Sequence, residues 1–186
     1  MIDAMRHAIF GAVMALGLAL VSSGPAWAVS LKDVDTYLTG AALVEGTDKP
    51  VAPFKGQVVV VTFFASWCPP CRNEFKHLNH LIERVGEDRI TVIGINQFEA
   101  WGGKKNPARM ARFLADTTPR FALIEGSETL RVAFGDIERI PSVIVIGTNG
   151  KEAWRFVHER GSNKTHATID DLTSVLTAAG VSVASQ

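Results

Sequence analysis

The stretch TFFASWCPPCRNEF, residues 62–75, contains the only two cysteines of this 186-residue chain, Cys68 and Cys71. A disulfide between residues this close in sequence closes almost no loop, so its contribution to stability is small. A structural zinc site needs four strong ligands, and the chain has no second pair of cysteines. The spacing therefore indicates redox chemistry, in which a dithiol cycles with a disulfide.

The hydrophobic pattern places the two cysteines at a junction between a strand and a helix. Residues 57–65 read QVVVVTFFA, a continuous apolar run that is typical of a strand buried on both faces. Between residues 75 and 85 the apolar positions recur every three or four residues, which is one face of a helix. We therefore expect Cys68 near the N-cap and Pro69 near the first helical position, where a missing N–H costs nothing.

This placement assigns different roles to the two sulfurs. Free backbone N–H groups and the helix dipole stabilise a thiolate at Cys68, which lowers its pKa, so Cys68 is predicted to be the exposed attacking sulfur. Cys71, one turn into the helix, is predicted to resolve the mixed disulfide. Pro69 and Pro70 hold the backbone so that the sulfurs stay within bonding reach. Because no histidine lies between the cysteines, the site favours a reductant over a strong oxidant.

The segment VVVVTFFASWCPPCRNEF, residues 58–75, resembles the active site of TlpA/ResA-like thioredoxins. These are exported thiol-disulfide oxidoreductases that include cytochrome c maturation proteins. The resemblance extends from about Gly56 to the C-terminal helix. It implies an α/β thioredoxin-like fold, a central mixed sheet flanked by helices, with the extra strand and helix of this family inserted between Asn96 and Arg139. It implies no cofactor.

The resemblance assigns a catalytic role to Glu74, three residues after Cys71. A partly buried carboxylate there has a raised pKa and takes the proton from Cys71 during exchange. Thr62 stands where cytoplasmic thioredoxins place a buried aspartate, which leaves Glu74 as its substitute. The alternative is an ordinary acidic residue favoured by the helix dipole.

The resemblance also implies a catalytic role for Pro141, a cis proline beside the disulfide. The preceding residue, Ile140, is expected to offer its backbone to an extended client segment. Trp67 is expected at the exposed rim of the site and, with Pro69, Pro70 and Ile140, to contact the client. The alternatives are a plain proline at a strand start and a core tryptophan.

The rest of the chain follows the thioredoxin order of elements. Residues 98–107 interrupt any period and form a predicted loop, in which Trp101 indicates either partner contact or a plain exposed loop. Residues 30–55 are expected to be irregular or to form a short hairpin. Further strands are predicted at 89–97, 121–125, 142–146 and 152–159, and further helices at 107–116, 128–134 and 168–179, the last capped by Thr168 and Asp171.

The N-terminus has the pattern of a secretory signal. Arg6 and His7 precede an apolar run at residues 8–21, and Ala26-Trp27-Ala28 provides a small-residue cleavage site. The predicted organisation is a signal peptide at 1–28, an N-terminal extension at 29–55 and a thioredoxin-like domain at 56–186. The predicted location is the periplasm, and the alternative is an uncleaved membrane anchor.

Charge excludes one class of function. The chain has 19 basic and 19 acidic residues, and this balanced charge gives no electrostatic footprint for nucleic acid or an anionic membrane surface. The leading hypothesis is a periplasmic protein-disulfide reductase. By resemblance, its clients are disulfide-containing proteins such as apocytochromes c or copper-site assembly factors, and a membrane thiol transporter supplies its electrons.

Other functions remain open from the residues. An oxidase or isomerase would run the same exchange in the opposite direction. A copper chaperone would bind metal through Cys68, Cys71 and either His77 or His80, although a solvated helix face is the favoured interpretation of those histidines. A peroxidase is disfavoured because Ala65 stands where such enzymes place a threonine.

Overall fold

A computed structural model describes residues 29–183 of the chain. The predicted signal peptide, residues 1–28, lies outside the described residues. Within 29–183, no helix is both long enough and apolar enough to cross a membrane. The elements are α1 (Leu31–Thr39), β1 (Val58–Phe64), α2 (Pro69–Val85), β2 (Ile90–Asn96), α3 (Pro107–Thr117), β3 (Ala122–Glu125), α4 (Glu128–Ala133), β4 (Ser142–Ile146), β5 (Glu152–Val157) and α5 (Ile169–Ala178).

The five strands form one mixed sheet in the order β3-β2-β1-β4-β5. Strand β2 is parallel to both β1 and β3, whereas β4 is antiparallel to β1 and to β5. The central strand β1 is buried at all seven positions, as its apolar sequence predicts. Because only four residues separate the end of β1 from the start of α2, the cysteines lie just beyond the end of the central strand.

Aromatic packing fixes α2 against the sheet. The ring of Phe75 lies 4.8 Å from that of Phe64 on β1 and 4.9 Å from that of Phe113 on α3, measured between centroids. It also contacts Phe121, at 5.0 Å. Each such pair contributes about 0.5–1.5 kcal/mol beyond the area that it buries. The first turn of α2, which carries both cysteines, is therefore held by a rigid core.

The N-terminal stretch differs from the expectation of irregular structure or a hairpin. It contains helix α1, whose Val34 and Leu38 are buried one turn apart. The chain then runs along β3, where the N–H of Val44 donates to the carbonyl of Leu123 at 3.0 Å. A helix of nine residues with two buried positions gives only a weak periodic signal in sequence.

The remaining predicted elements are confirmed to within about two residues. The cap of α5 has both predicted hydrogen bonds, because Thr168 and Asp171 each accept from the other's backbone N–H. The predicted insertion between Asn96 and Arg139 contains α3, β3 and α4. It extends the sheet by one edge strand and places α3 against α2, beside the site.

Candidate active site

The two cysteines form a disulfide at the start of α2, with 2.02 Å between their Sγ atoms. Cys68 is the N-cap and Pro69 opens the helix, as predicted. The backbone N–H of Cys71 points at Sγ of Cys68, at 3.3 Å. Once the disulfide is reduced, this N–H and the helix dipole stabilise a thiolate on Cys68.

Cys68 is less exposed than the sequence suggests. Only 2% of its surface is accessible in the disulfide form, and none of the surface of Cys71 is. Cys68 is therefore the more accessible of the two cysteines, in agreement with the predicted roles. The expectation that the attacking sulfur is exposed is wrong for the disulfide form. The physical reason is that Cys68 lies within a groove whose walls include Trp67, Trp101 and Ile140.

The groove has a volume of about 550 Å³ and includes every residue that the sequence assigned to client contact. Its aromatic lining comes from Trp67 and from the loop after β2, and Ile140 contributes from the turn before β4. The full lining is Trp67, Cys68, Pro69, Pro70, Phe98, Trp101, Glu138, Arg139, Ile140 and His158. A client sulfur that reacts with Cys68 has to enter this groove.

Pro141 follows the groove-lining residue Ile140, and the peptide bond between them is cis. Pro141 is buried, and its carbonyl accepts a hydrogen bond from the N–H of His158 at 3.1 Å. The carbonyl oxygen of Ile140 lies 3.3 Å from Nδ1 of the same histidine. The antiparallel pairing of β4 with β5 therefore places His158 against the turn, so the backbone of Ile140, which is expected to be offered to the client, already has a neighbour at its carbonyl.

Glu74 is fully buried on α2, three residues after Cys71, and the structure joins it to Thr62, the residue that the sequence singled out with it. The hydroxyl of Thr62 donates to Oε1 of Glu74, and the N–H of Ala167 donates to Oε2 at 3.2 Å. Burial raises the pKa of Glu74 to about 7, although the two hydrogen bonds oppose the rise. The carboxyl group can therefore gain or lose a proton near neutral pH.

A second buried carboxylate, Glu99, was missed by sequence reasoning. Its Oε2 accepts the N–H of Ser66 at 2.8 Å, and its Oε1 accepts from Nη2 of Arg109 at 3.1 Å. Nε of Arg109 also donates to Oγ of Ser66 at 2.8 Å. Glu99 lies in a loop with no periodicity and belongs to no spacing motif, so no sequence signal pointed to it.

His77, on α2, packs against a histidine from the segment that precedes α5. The ring of His77 stacks on that of His166, with 5.3 Å between centroids. Burial, together with the neighbouring charge of His166, lowers the pKa of His77. Among residues 29–183, no group of three or more histidine, cysteine or acidic side chains is placed to hold a metal ion.

Comparison with known proteins agrees with this geometry. The Redoxin family model matches residues 33–176. Thiol-disulfide oxidoreductase ResA of Geobacillus thermodenitrificans is 25% identical over 108 residues, which cover 58% of this chain and 59% of that protein. Sporulation thiol-disulfide oxidoreductase A of Bacillus subtilis is 23% identical over 139 residues, or 75% of this chain and 82% of that protein.

A solved structure supports the fold. The crystal structure of a DsbF homologue from Corynebacterium diphtheriae aligns with a TM-score of 0.57 at 22% identity, covering 74% of this chain and 85% of that one. At this identity the likeness establishes the thioredoxin-like fold alone. The activity follows from the family match and the curated relatives together with the Cys68–Cys71 disulfide. The chain belongs to the Redoxin family and is a thiol-disulfide oxidoreductase.

Proposed function

We propose that this protein reduces disulfides in client proteins outside the cytoplasm. The observation that carries the proposal is the position of Cys68, whose Sγ lies at a helix N-cap, accepts an N–H from Cys71 and lines an open groove. A thiolate held in this way is nucleophilic near neutral pH. The prolines add no charge that would stabilise it further, which favours reduction of the client.

The reaction consists of two exchanges. The thiolate of Cys68 attacks one sulfur of the client disulfide, that S–S bond breaks, and the other client sulfur leaves as a thiolate and takes up a proton. Cys71 then loses its proton and attacks Sγ of Cys68. The mixed disulfide breaks, and the client is released with both cysteines reduced. Two electrons pass from the protein to the client, and the Cys68–Cys71 disulfide remains.

Glu74 is suited to accept the proton from Cys71. The two residues are three positions apart on one helix and therefore on neighbouring parts of one face. Because the pKa of Glu74 is about 7, its carboxylate form is present at neutral pH and can also return the proton. Thr62 and Ala167 hold the carboxyl group in place through hydrogen bonds.

The client and the electron source follow from the resemblance. We propose a membrane thiol transporter as the reductant that regenerates the dithiol, and apocytochromes c or copper-site assembly factors as clients. The periplasm is the proposed location. The basic residues, apolar run and Ala-Trp-Ala site within residues 1–28 support export.

Insulin reduction by the dithiothreitol-recycled protein tests the activity. Cys68→Ser should abolish reduction because the attacking sulfur is lost, whereas Cys71→Ser should accumulate mixed disulfides that a nonreducing gel reveals. Asn73→Ser, at an exposed position of α2, is the matched control and should retain activity. Full activity in Cys68→Ser would contradict the assignment.

A further inference from the structure

The loop between β2 and α3, residues 97–106, carries an exposed tryptophan, Trp101. Trp101 is 76% exposed, the highest value among the large hydrophobic side chains of residues 29–183. Single exposed apolar residues are common on protein surfaces. This one differs because it lines the groove that contains Cys68.

Trp101 is paired with the tryptophan that precedes Cys68. The rings of Trp67 and Trp101 lie 5.0 Å apart between centroids, at 50° to each other. The carbonyl of Phe98 accepts two hydrogen bonds, from Nε1 of Trp67 at 3.0 Å and from the backbone N–H of Trp101 at 2.9 Å. One carbonyl therefore ties both tryptophans to the same point of the loop.

Glu99 fixes the loop to the turn between β1 and α2, residues 65–68, which ends at Cys68 and is called the redox turn. Its carboxylate binds the N–H of Ser66, two residues before Cys68, and the guanidinium of Arg109 on α3. Phe98 has φ of 62°, a left-handed conformation that a bulky residue keeps only when its surroundings determine it. The loop is thus preorganised, which reduces the ordering cost when a client binds.

The mixed disulfide with Cys68 determines which client residues reach Trp67 and Trp101. A client bound through its sulfur to Cys68 has that cysteine in the groove, and neighbouring residues of an extended segment follow at about 3.3 Å each. The side chains next to the client cysteine therefore meet the groove walls. An apolar client side chain that covers the exposed indole of Trp101 removes apolar surface from water. The resulting gain in binding free energy exists only in the complex.

We propose that Trp101, together with Trp67, selects clients that carry an aliphatic or aromatic side chain within two residues of the reacting cysteine. This inference rests on the proposed reductase function and adds its specificity. The other rim of the groove carries the exposed pair Glu138 and Arg139, one charge of each sign, so it favours neither acidic nor basic clients. Apolar contact with the indoles remains the discriminating interaction.

The test uses short peptides Gly-Cys-Phe and Gly-Cys-Ser whose cysteine is linked by a disulfide to thionitrobenzoate. The reduced protein attacks this disulfide, and stopped-flow absorbance gives the second-order rate constant. The protein should react with the Phe peptide about fivefold faster than with the Ser peptide. Trp101→Ala should lower this ratio to below about twofold, and Trp101→Phe should restore most of it. Tyr37→Ala, which removes an exposed aromatic ring outside the groove, is the matched control and should leave the ratio unchanged.

Hydroxyethyl disulfide separates failure of specificity from failure of function, because it has no side chain to reach the indoles. Tyr37→Ala, outside the groove, should reduce it as fast as the unchanged protein does. An unchanged Phe-to-Ser ratio in Trp101→Ala, or a ratio of one in the unchanged protein, would overturn the specificity inference alone. Failure of the reduced protein to react with hydroxyethyl disulfide or either peptide would overturn both proposals.

Discussion

Two buried carboxylates flank the redox turn, and they differ in the partners that compensate them. Glu74 is 0% exposed and Glu99 is 5% exposed. Glu74 accepts hydrogen bonds from the neutral hydroxyl of Thr62 and from a backbone N–H. Glu99 accepts hydrogen bonds from a backbone N–H and from the guanidinium of Arg109. Burial raises the pKa of Glu74 to about 7 because hydrogen bonds alone do not offset its desolvation.

The difference separates a chemical role from a positioning role. A carboxyl group that titrates near neutral pH can exchange a proton with a thiol beside it. A carboxylate that accepts hydrogen bonds from a guanidinium and a backbone N–H holds these partners in a fixed geometry. Burial is thus similar for the two glutamates, and the charge of the partner distinguishes the proposed proton acceptor Glu74 from Glu99, which is bound to a cation.

The largest effect is expected on the Glu99 side. Glu99→Ala removes the carboxylate that accepts from the N–H of Ser66 and pairs with the cation of Arg109, which should cost about 3–4 kcal/mol of unfolding free energy. The value lies towards the low end for a buried pair, because the Arg109 side chain is 28% exposed and can partly rehydrate. Urea denaturation measures it, with Glu45→Ala at an exposed position near β3 as a control. A loss of unfolding free energy below about 1 kcal/mol would contradict the proposal that Glu99 holds Ser66 and Arg109 in place.

The contribution of Glu74 to the free energy of unfolding should depend on pH. Below pH 4.5 its carboxyl group is protonated both in the folded and in the unfolded protein, so it has no effect on stability. Between 4.5 and about 7 the folded state binds more protons, so the free energy of unfolding falls as pH rises. Above that range the loss is complete, at roughly 3 kcal/mol.

Glu74→Gln removes this titration, so its stability relative to the unchanged protein should increase between pH 4.5 and about 8. Denaturation curves at several pH values measure the difference. The variant should also exchange disulfides more slowly and lose the step near pH 7 in its pH–rate profile, because it cannot accept the proton. Parallel stability curves and an unchanged profile would make Glu74 a structural residue only.

A smaller effect is expected from Arg109→Lys. Lysine keeps the charge, but its single nitrogen lacks the planar fork with which the guanidinium donates to Ser66 and Glu99 from separate atoms. The loss should be about 1.5 kcal/mol, measured by thermal or urea unfolding. Arg112→Lys, on the same helix at an exposed position, is the matched control and should change stability by less than about 0.5 kcal/mol. Equal losses in the two variants would contradict a specific role for Arg109.

The smallest effect is expected from Thr62→Val, which removes the hydroxyl that donates to Glu74 while keeping the shape of the side chain. The hydrogen bond lowers the pKa of Glu74, so its loss should raise that pKa further and move the pH–rate step to higher pH. Stability at pH 8 should fall by about 1 kcal/mol. A shift of the step to lower pH would contradict the assignment of that step to Glu74.

Sequence reasoning succeeded where a local pattern had one physical interpretation. The apolar run before Cys68 and the helical period after it predicted β1, α2 and the N-cap to within two residues. Glu74 and Thr62 were linked through the resemblance, and the fold brings them into contact. These features depend on neighbours in sequence or on a motif around the cysteines.

Features that depend on distant contacts were not predictable in the same way. Glu99 reaches Ser66 across 33 positions, and Arg109 reaches Ser66 across 43. The low exposure of Cys68 likewise depends on a groove built from four separate segments of the chain. Helix α1 was missed because its stability comes from packing against the rest of the domain, and nine residues give little periodic signal.

The reduction potential of the Cys68–Cys71 couple tests the central claim most directly. Equilibration against glutathione buffers, followed by alkylation and mass spectrometry, gives the fraction of reduced protein. The account predicts a potential near about −270 mV, the value of a thiol reductant such as thioredoxin. A potential towards about −120 mV, the value of a strong disulfide oxidant, would contradict it and reverse the direction of electron flow.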